Sequence, residues 1–366
     1  MRLLAGTVPV WPWKGAGMRW RRLWKPMFML VLVQISSNQI SSTQIWLTQD
    51  AEKVRLVGVG TTSALAVYAK WFQAFEKSRP DVNIIYIPSG SEAGMEMVTS
   101  GAADFGAADA PMPEKLRAKE KVLQIATVLG AIVPIYNLPG TTRVLRFSPN
   151  ALADIYLGTI TRWNDPAISG PNPGIDLPST NISVIHSTEG RGTTYIWSDY
   201  LSKVNVEWRN RVGRGMSVDW PVGKVADGNG KLARAVKDTP YSIGYVELIY
   251  AVQSHLAYGQ VQNAAGNFVS ADAASITAAA TASTQGAASE FRSSITNSRG
   301  EKAYPISSYT WILVPEEIQS AGKREAVKDF LRWALEEGQD YAEAAGFAKL
   351  PKAIAEEELS LVEQIQ

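Results

Sequence analysis

The chain has 366 residues, of which 46% are hydrophobic, and this length favours two folded domains over one. It contains no cysteine, which excludes disulfides, thiol nucleophiles and cysteine-ligated zinc, and its two histidines make a histidine-rich metal site improbable. The formal net charge is +1, but residues 1–49 hold six basic residues and no acidic one. The remaining 30 basic and 35 acidic residues leave a net charge of −5, which disfavours nucleic acid as a partner.

The N-terminal segment, residues 1–49, has the pattern of a targeting sequence. Arg19, Arg21 and Arg22 form a basic region, and residues 26–35 (PMFMLVLVQI) form an apolar stretch of about ten residues, too short to span a bilayer comfortably. We expect a secretory signal that is removed, and therefore an extracytoplasmic or periplasmic protein. The alternative is a retained membrane anchor, since no clear cleavage site follows.

From residue 54 onward, strand and helix signals alternate. Apolar runs at 54–60 and 82–87 predict strands, and the residues between them place an apolar stripe at helical spacing up to Pro80. Residues 89–101 read as a glycine- and serine-rich turn entering a helix, and 103–111 as a short strand and turn. This alternation predicts an α/β protein with largely parallel sheets.

The second half continues the alternation. We predict strands at 130–137, 181–186, 241–247 and 307–315, and helices within 150–163, 189–201 and 324–346, the last closed by Gly346. Residues 270–290 are rich in Ala, Ser and Thr, which suits an exposed helix with its loops.

Three turns share one design, in which a strand leads through glycine and hydroxyl residues into a helix. They are the segments 58–63 (GVGTTS), 89–94 (SGSEAG) and 189–194 (EGRGTT). Glycine permits close backbone approach, and the unpaired N–H groups of a helix start favour an anion. Each turn alone is compatible with ordinary helix capping. Together they suggest one convergent oxyanion site, whereas neither a dinucleotide fingerprint nor a phosphate-binding P-loop is complete.

Here the motifs resemble a known family. VGVGTT…VYAKW (57–71), GSEAG (90–94), DFGAADAP (104–111), IYLGTITRWND (155–165), EGRGTTYIWSDYL (189–201), SIGYVE (242–247) and YPISS (304–308) follow the order and spacing found in phosphate-binding proteins of bacterial phosphate ABC importers. The resemblance covers about residues 54–350. It implies a two-lobed periplasmic-binding-protein fold of type II, with phosphate in the cleft between the lobes.

The resemblance also implies domain limits and partners. One lobe is expected to be discontinuous, 53–129 plus 305–366, and the other to span 130–304, with crossings near Gly130 and Pro305. The expected partners are inorganic phosphate and the membrane permease subunits of an ABC importer. We expect a monomer, without cofactor, metal or nucleic acid, that binds rather than catalyses.

The family's phosphate contacts carry over to this chain one residue at a time. They fall on Thr62, Ser63, Ser91, Asp109, Gly192 and Thr193. Ser63 stands where the family usually has an aromatic residue before proline, so a backbone contact is expected there. An ionised Asp109 would accept the proton of hydrogen phosphate and repel sulfate, which has no proton to offer at neutral pH. Without the resemblance, Asp109 would equally fit a turn cap before Pro111.

The chain departs from the family in its third turn. Ser187 stands where the family has a phosphate-binding arginine, and Arg191 stands where it has a serine. We therefore expect the guanidinium of Arg191 to reach the phosphate, oriented by Glu189. The alternative is an Arg191 that faces solvent or simply pairs with Glu189.

Two other functions stay open at this stage. A paralogue could bind another tetrahedral oxyanion, or sense phosphate without transporting it. A serine hydrolase using His186 or His255 is the enzyme alternative, but the chain has no GxSxG elbow.

Overall fold

The structure, a computed structural model, describes residues 53–141, 143–283 and 294–366. Residues Ala51–Gln366 form one compact unit. The predicted signal at 1–49 lies outside the described residues. Along the described chain, no helix combines the length and the apolar character that a membrane crossing requires.

The strands follow the apolar runs of the sequence. In chain order they are β1 (Val54–Gly60), β2 (Val82–Pro88), β3 (Phe105–Ala108), β4 (Val122–Asn137), β5 (Arg146–Phe147), β6 (Ser183–Ser187), β7 (Lys224–Ala226), β8 (Ser242–Glu247), β9 (Ala257–Tyr258), β10 (Gln260–Gln262), β11 (Phe268–Val269) and β12 (Ser307–Pro315). The largest difference from prediction is β4, which begins eight residues before the predicted 130–137.

The helices cover the strand edges and faces. They are α1 (Leu65–Ser78), α2 (Ser91–Thr99), α3 (Glu114–Lys119), α4 (Pro149–Leu157), α5 (Pro166–Ser169), α6 (Gly192–Val204), α7 (Val206–Arg211), α8 (Gly228–Asp238), α9 (Leu248–Gln253), α10 (Ala273–Ser283), α11 (Ala321–Leu335) and α12 (Lys352–Val362). The predicted helix 324–346 is shorter: α11 ends at Leu335, and two 3₁₀ segments, Glu337–Tyr341 and Glu343–Ala345, lead to the left-handed Gly346.

Local chemistry explains individual elements. In α1 the predicted stripe is buried and ends in a cluster of aromatic rings shared with Phe330 of α11. Helix α4 starts where the Ser148 hydroxyl accepts the N–H of Ala151, with Pro149 in its first turn. It stops at Gly158, whose φ of 78° suits glycine better than any other residue.

The main sheet runs in the order β2-β1-β3-β12-β4-β8-β6-β7, with β9 also paired to β4. Strands β1, β2 and β3 are mutually parallel, as are β6, β7 and β8, but β12 and β4 run antiparallel to their neighbours. The expectation of largely parallel sheets was therefore wrong in the centre, where the two long strands β12 and β4 are antiparallel to each other and to their outer neighbours.

Strand β4 joins the two halves of this α/β, two-lobed fold. Its residues up to Ala131 pair with β12, and its residues from Ile132 onward pair with β8. Strand β12 starts at Ser307, opposite that change of partner. Because the carboxyl ends of β1, β3 and β6 point toward this junction, the turns that follow them can meet there.

Candidate functional site

All three predicted turns end at helix starts. They lead into α1, α2 and α6, and the N-cap residue of each of these helices makes no side-chain capping bond. The cap residues therefore do not use the first N–H groups, but the Glu92 N–H of α2 donates to the Gly190 carbonyl at 3.2 Å. The Ser63 N–H, the predicted backbone donor of the first turn, donates to Thr61 Oγ1 at 3.0 Å. Three such helix starts provide partial positive charge suited to an anion.

Asp109 follows β3 and lies at the centre of the site, with 2% of its surface exposed. One carboxylate oxygen accepts the hydroxyl of Thr61, and the other accepts the hydroxyl of Thr310 at 2.8 Å. Its backbone N–H donates to Ser91 Oγ at 3.0 Å. Burial raises the pKa of the Asp109 carboxyl, while these hydroxyl bonds oppose that rise.

Gly192, the first residue of α6, comes very close to this carboxylate. A Cβ added at Gly192 would lie 2.3 Å from Ser91 Oγ and 2.8 Å from Asp109 Cβ. Only a residue without a side chain permits this approach, and it brings the α6 start to the α2 start. The next residue, Thr193, is buried.

The first turn is held from the opposite side by α8 and α9. Asn229 Nδ2 lies 3.3 Å from Ser63 Oγ and 3.5 Å from Thr62 Oγ1. The Tyr250 hydroxyl donates to the Thr62 carbonyl at 2.9 Å. The hydroxyls of Thr62 and Ser63 are thus placed where the two halves of the molecule meet.

Arg191 contacts different partners from those expected. Its guanidinium forms an ion pair with Asp227 at 2.5 Å, and Nε donates to Thr188 Oγ1 at 3.2 Å. Nη1 donates to the carbonyl of Ser89 at 3.0 Å. The expected orienting role of Glu189 was wrong, because Asp227, brought alongside by the path of the chain between β7 and α8, occupies that position.

Ser187, at the position of the family's arginine, is buried at the end of β6. Its N–H donates to the Tyr245 hydroxyl at 3.2 Å. Within the described part of the chain, its Oγ has no hydrogen-bond partner. A neutral hydroxyl therefore stands where the resemblance would have placed a positive charge.

Three residues of the candidate site were not predicted from the sequence, namely Thr61, Thr310 and Asn229. Thr61 lies in the first turn but next to the carried-over positions. Thr310 is 201 residues from Asp109 and has no local signal. Asn229 sits between two glycines at the start of α8, a pattern that could have marked a fourth polar helix start.

The two histidines, His186 and His255, occupy positions that are explained by ring packing and by a turn, respectively. The His186 ring stacks on Trp220 with 4.8 Å between centroids, and burial lowers the pKa of His186. His255 occupies a left-handed turn with φ of 53°. Within the described residues, no cluster of three or more His, Asp or Glu side chains could hold a metal ion.

Comparisons with known proteins agree with this architecture. The model of the PBP superfamily domain matches residues 47–337. The chain is 38% identical over 309 residues to the phosphate-binding protein PstS of Pasteurella multocida, covering 84% of this chain and 89% of that one. It is 37% identical to the phosphate-binding protein PstS of Xylella fastidiosa, covering 90% and 89%.

The fold is also shared with a solved structure, that of a high affinity periplasmic phosphate-binding protein (PfluDING) bound with phosphate. The TM-score is 0.66 at 20% identity, and the match covers 83% of this chain and 92% of that chain. The family model and the curated relatives both extend over most of the chain. The protein therefore belongs to the PBP superfamily and, within it, to the family of the phosphate-binding proteins PstS.

Proposed function

We propose that this protein binds inorganic phosphate outside the cytoplasm and delivers it to the membrane permease of an ABC importer. The observation that carries the proposal is the buried Asp109 carboxylate at the meeting point of three helix starts. The helix starts attract an anion, and the carboxylate accepts a hydrogen bond from an O–H group that the anion carries. A protonated tetrahedral oxyanion satisfies both requirements.

The proposed phosphate contacts come from both halves of the molecule. They are Thr62, Ser63, Ser91, Asp109, Gly192 and Thr193. The bonds that Asp109 makes to Ser91 and Thr61, and the approach of Gly192 to both Ser91 and Asp109, support this set. Arg191 is the remaining predicted member, and its contacts point to a different task, described below.

Selectivity follows from the direction of the hydrogen bonds. Hydroxyl and amide groups can donate hydrogen bonds to any tetrahedral oxyanion, so they distinguish phosphate from sulfate poorly. An ionised carboxylate stabilises an anion that brings its own O–H and repels one that does not.

The proposed lobes are 53–129 plus 305–366, and 130–304. The change of partner along β4 at Ala131/Ile132 and the start of β12 at Ser307 support these limits. Export through the segment 1–49 and a monomeric state belong to the same proposal.

Isothermal calorimetry on the purified, phosphate-stripped protein tests the function. We expect phosphate to bind and sulfate to bind at least about 100-fold more weakly, since an uncompensated like charge costs several kcal/mol. Arsenate, which also carries a proton, is the matched control for geometry.

The alternative, a receptor for another oxyanion, draws support from the missing arginine at Ser187. It predicts that sulfate or another unprotonated oxyanion binds as tightly as phosphate, and that result would displace the proposal.

A further inference from the structure

Arg191 is the place where this chain leaves its family, and its contacts span the site. Its side chain is 18% exposed, and its guanidinium nitrogens Nε, Nη1 and Nη2 each have a partner. Asp227 and Thr188 lie in the half of the sheet built on β6, β7 and β8. Ser89 lies in the other half, between β2 and α2.

We propose that Arg191 is a positioning residue that latches the cleft closed over the anion, and is not itself a ligand of that anion. The inference rests on the proposed function in one respect only, that the cleft encloses phosphate. The latch consists of Arg191, Asp227, Thr188 and the carbonyl of Ser89.

The anchor of the latch is Asp227. Its Oδ1 accepts from Arg191 Nη2 at 2.5 Å and from the Thr188 hydroxyl at 3.3 Å. Its other oxygen pairs with Lys231 at 3.0 Å. Since Thr188 Oγ1 also accepts from Arg191 Nε, the guanidinium plane is held on two edges before it reaches across the cleft.

The segment that accepts the Arg191 hydrogen bond, Ser89 and Gly90, is also held in place by hydrogen bonds. The N–H groups of Ser89 and Gly90 both donate to the Gly60 carbonyl at 2.8 Å, which orients the Ser89 carbonyl toward Arg191. A Cβ added at Gly90, whose φ is +115°, would lie 3.1 Å from Arg191 Nη1 and from the Gly190 carbonyl. Glycine thus leaves room for the latch to seat.

A second bond closes the same rim. The Glu92 N–H donates to the Gly190 carbonyl at 3.2 Å, next to Arg191 in sequence. The rim is therefore closed by a backbone bond and a charge-assisted bond side by side. Bonds present only in the closed state raise the closed population and slow the release of an enclosed ligand.

The latch and a direct phosphate contact predict opposite effects of removing Asp227. If Arg191 bound phosphate, Asp227→Ala would free the guanidinium and leave affinity unchanged or higher. If Arg191 is a latch, Asp227→Ala and Arg191→Ala should each weaken phosphate about 10-fold, the effect of losing one charge-assisted hydrogen bond. The double variant should be no weaker than either single one, because both changes break one unit.

Stopped-flow kinetics and calorimetry with inorganic phosphate provide the test. We expect the loss in both single variants to lie in the dissociation rate, with association changed by less than about threefold. Lys231→Ala is the matched control, since it removes a 74% exposed partner of the same carboxylate while leaving the latch intact. It should change affinity by less than about twofold, as expected for an exposed ion pair.

A readout without phosphate separates this inference from the proposed function. Small-angle scattering of the phosphate-free protein should show a larger radius of gyration for Arg191→Ala than for wild type and Lys231→Ala. If the radius of gyration increased in this way but the wild-type protein did not bind phosphate, the latch would stand and the proposed phosphate-binding function would be rejected. Tight phosphate binding by Asp227→Ala, or equal scattering of wild type and Arg191→Ala, would overturn the latch.

Discussion

At the scale of single residues, Asp109 is the residue that we expect to determine which anion the site accepts. Its carboxylate is buried and surrounded by hydroxyl donors from β12 and the turn after β1, so that burial raises the pKa of Asp109 while these hydrogen bonds oppose the rise. The hydroxyls occupy one lone pair on each oxygen and leave the others free for a proton brought by the ligand. We therefore expect the environment of Asp109, more than its presence, to set selectivity.

Replacing Asp109 by Asn should relax the preference for phosphate over sulfate. The amide carries no charge to repel sulfate and adds an N–H donor, so we expect the ratio of the two affinities to fall by about 10-fold or more, from removal of like-charge repulsion. Calorimetric titration of both anions against the variant and wild type measures the ratio. An unchanged ratio would remove Asp109 from this role.

The Thr61 hydroxyl should control the pH at which selectivity is lost. It donates to Asp109 and lowers the pKa of that carboxyl, so Thr61→Val should raise the Asp109 pKa. A protonated Asp109 no longer repels sulfate, and sulfate binding should therefore appear at higher pH in Thr61→Val than in wild type. Sulfate titrations from pH 4 to 8 check this. Thr61→Ser, which keeps the hydroxyl, should follow wild type.

At the scale of elements, the start of α6 can pack closely against α2 and the end of β3 because its first residue, Gly192, has no side chain. The approach of Gly192 to Ser91 and Asp109 joins α6 to α2 and to the end of β3. The same turn carries Arg191, whose long side chain reaches back to the loop before α2. One helix start thus contributes backbone donors inside the site and a guanidinium at its rim.

Gly192→Ala should prevent this approach. The methyl group would overlap Ser91 Oγ, and overpacking of about 1–3 kcal/mol corresponds to roughly a 5- to 150-fold loss of phosphate affinity. Gly322→Ala is the control, because its Cβ would meet only Val54 at an ordinary 3.6 Å, in the first turn of α11. That variant should bind phosphate like wild type. Equal affinities for all three proteins would contradict the close approach.

At the scale of the whole molecule, a second buried carboxyl sits where β4 passes between the halves. Glu247, 2% exposed, accepts the N–H of Ala131 at 2.9 Å, and its own N–H donates to Asn229 Oδ1 at 3.0 Å. Asn229 in turn contacts the first turn of the site. Burial, and next the charge of Asp109, raise the pKa of Glu247 well above its ordinary value.

This raised pKa predicts a pH-dependent stability. Between the ordinary pKa of an unfolded Glu, about 4.3, and the higher folded pKa, the folded state binds more protons, so the free energy of unfolding falls as pH rises through this window. Glu247→Gln removes that contribution. We expect the free energy of unfolding of wild type to fall more than that of the variant between pH 5 and 8. Urea unfolding at both pH values is the measurement, and parallel pH profiles would contradict it.

Much of this protein was readable from local sequence. Apolar runs predicted β1, β2, β6, β8 and β12, because such strands are recognisable from five to nine consecutive residues. The glycine- and hydroxyl-rich turns predicted the starts of α1, α2 and α6 for the same reason. The seven motifs taken together, above all DFGAADAP (104–111) and IYLGTITRWND (155–165), also sufficed to predict the family.

The tertiary structure alone decided which groups meet. Thr310 forms a hydrogen bond with Asp109 from 201 residues away, and Asp227 pairs with Arg191 from 36 residues away. No local sequence pattern could predict either pair. The antiparallel pairing of β4 and β12 likewise depends on the path of the whole chain. Residue types and their short-range spacing determine which elements form and what chemistry they carry. The partners of each buried charge are chosen only when distant segments pack, because that choice depends on contacts the linear order does not contain.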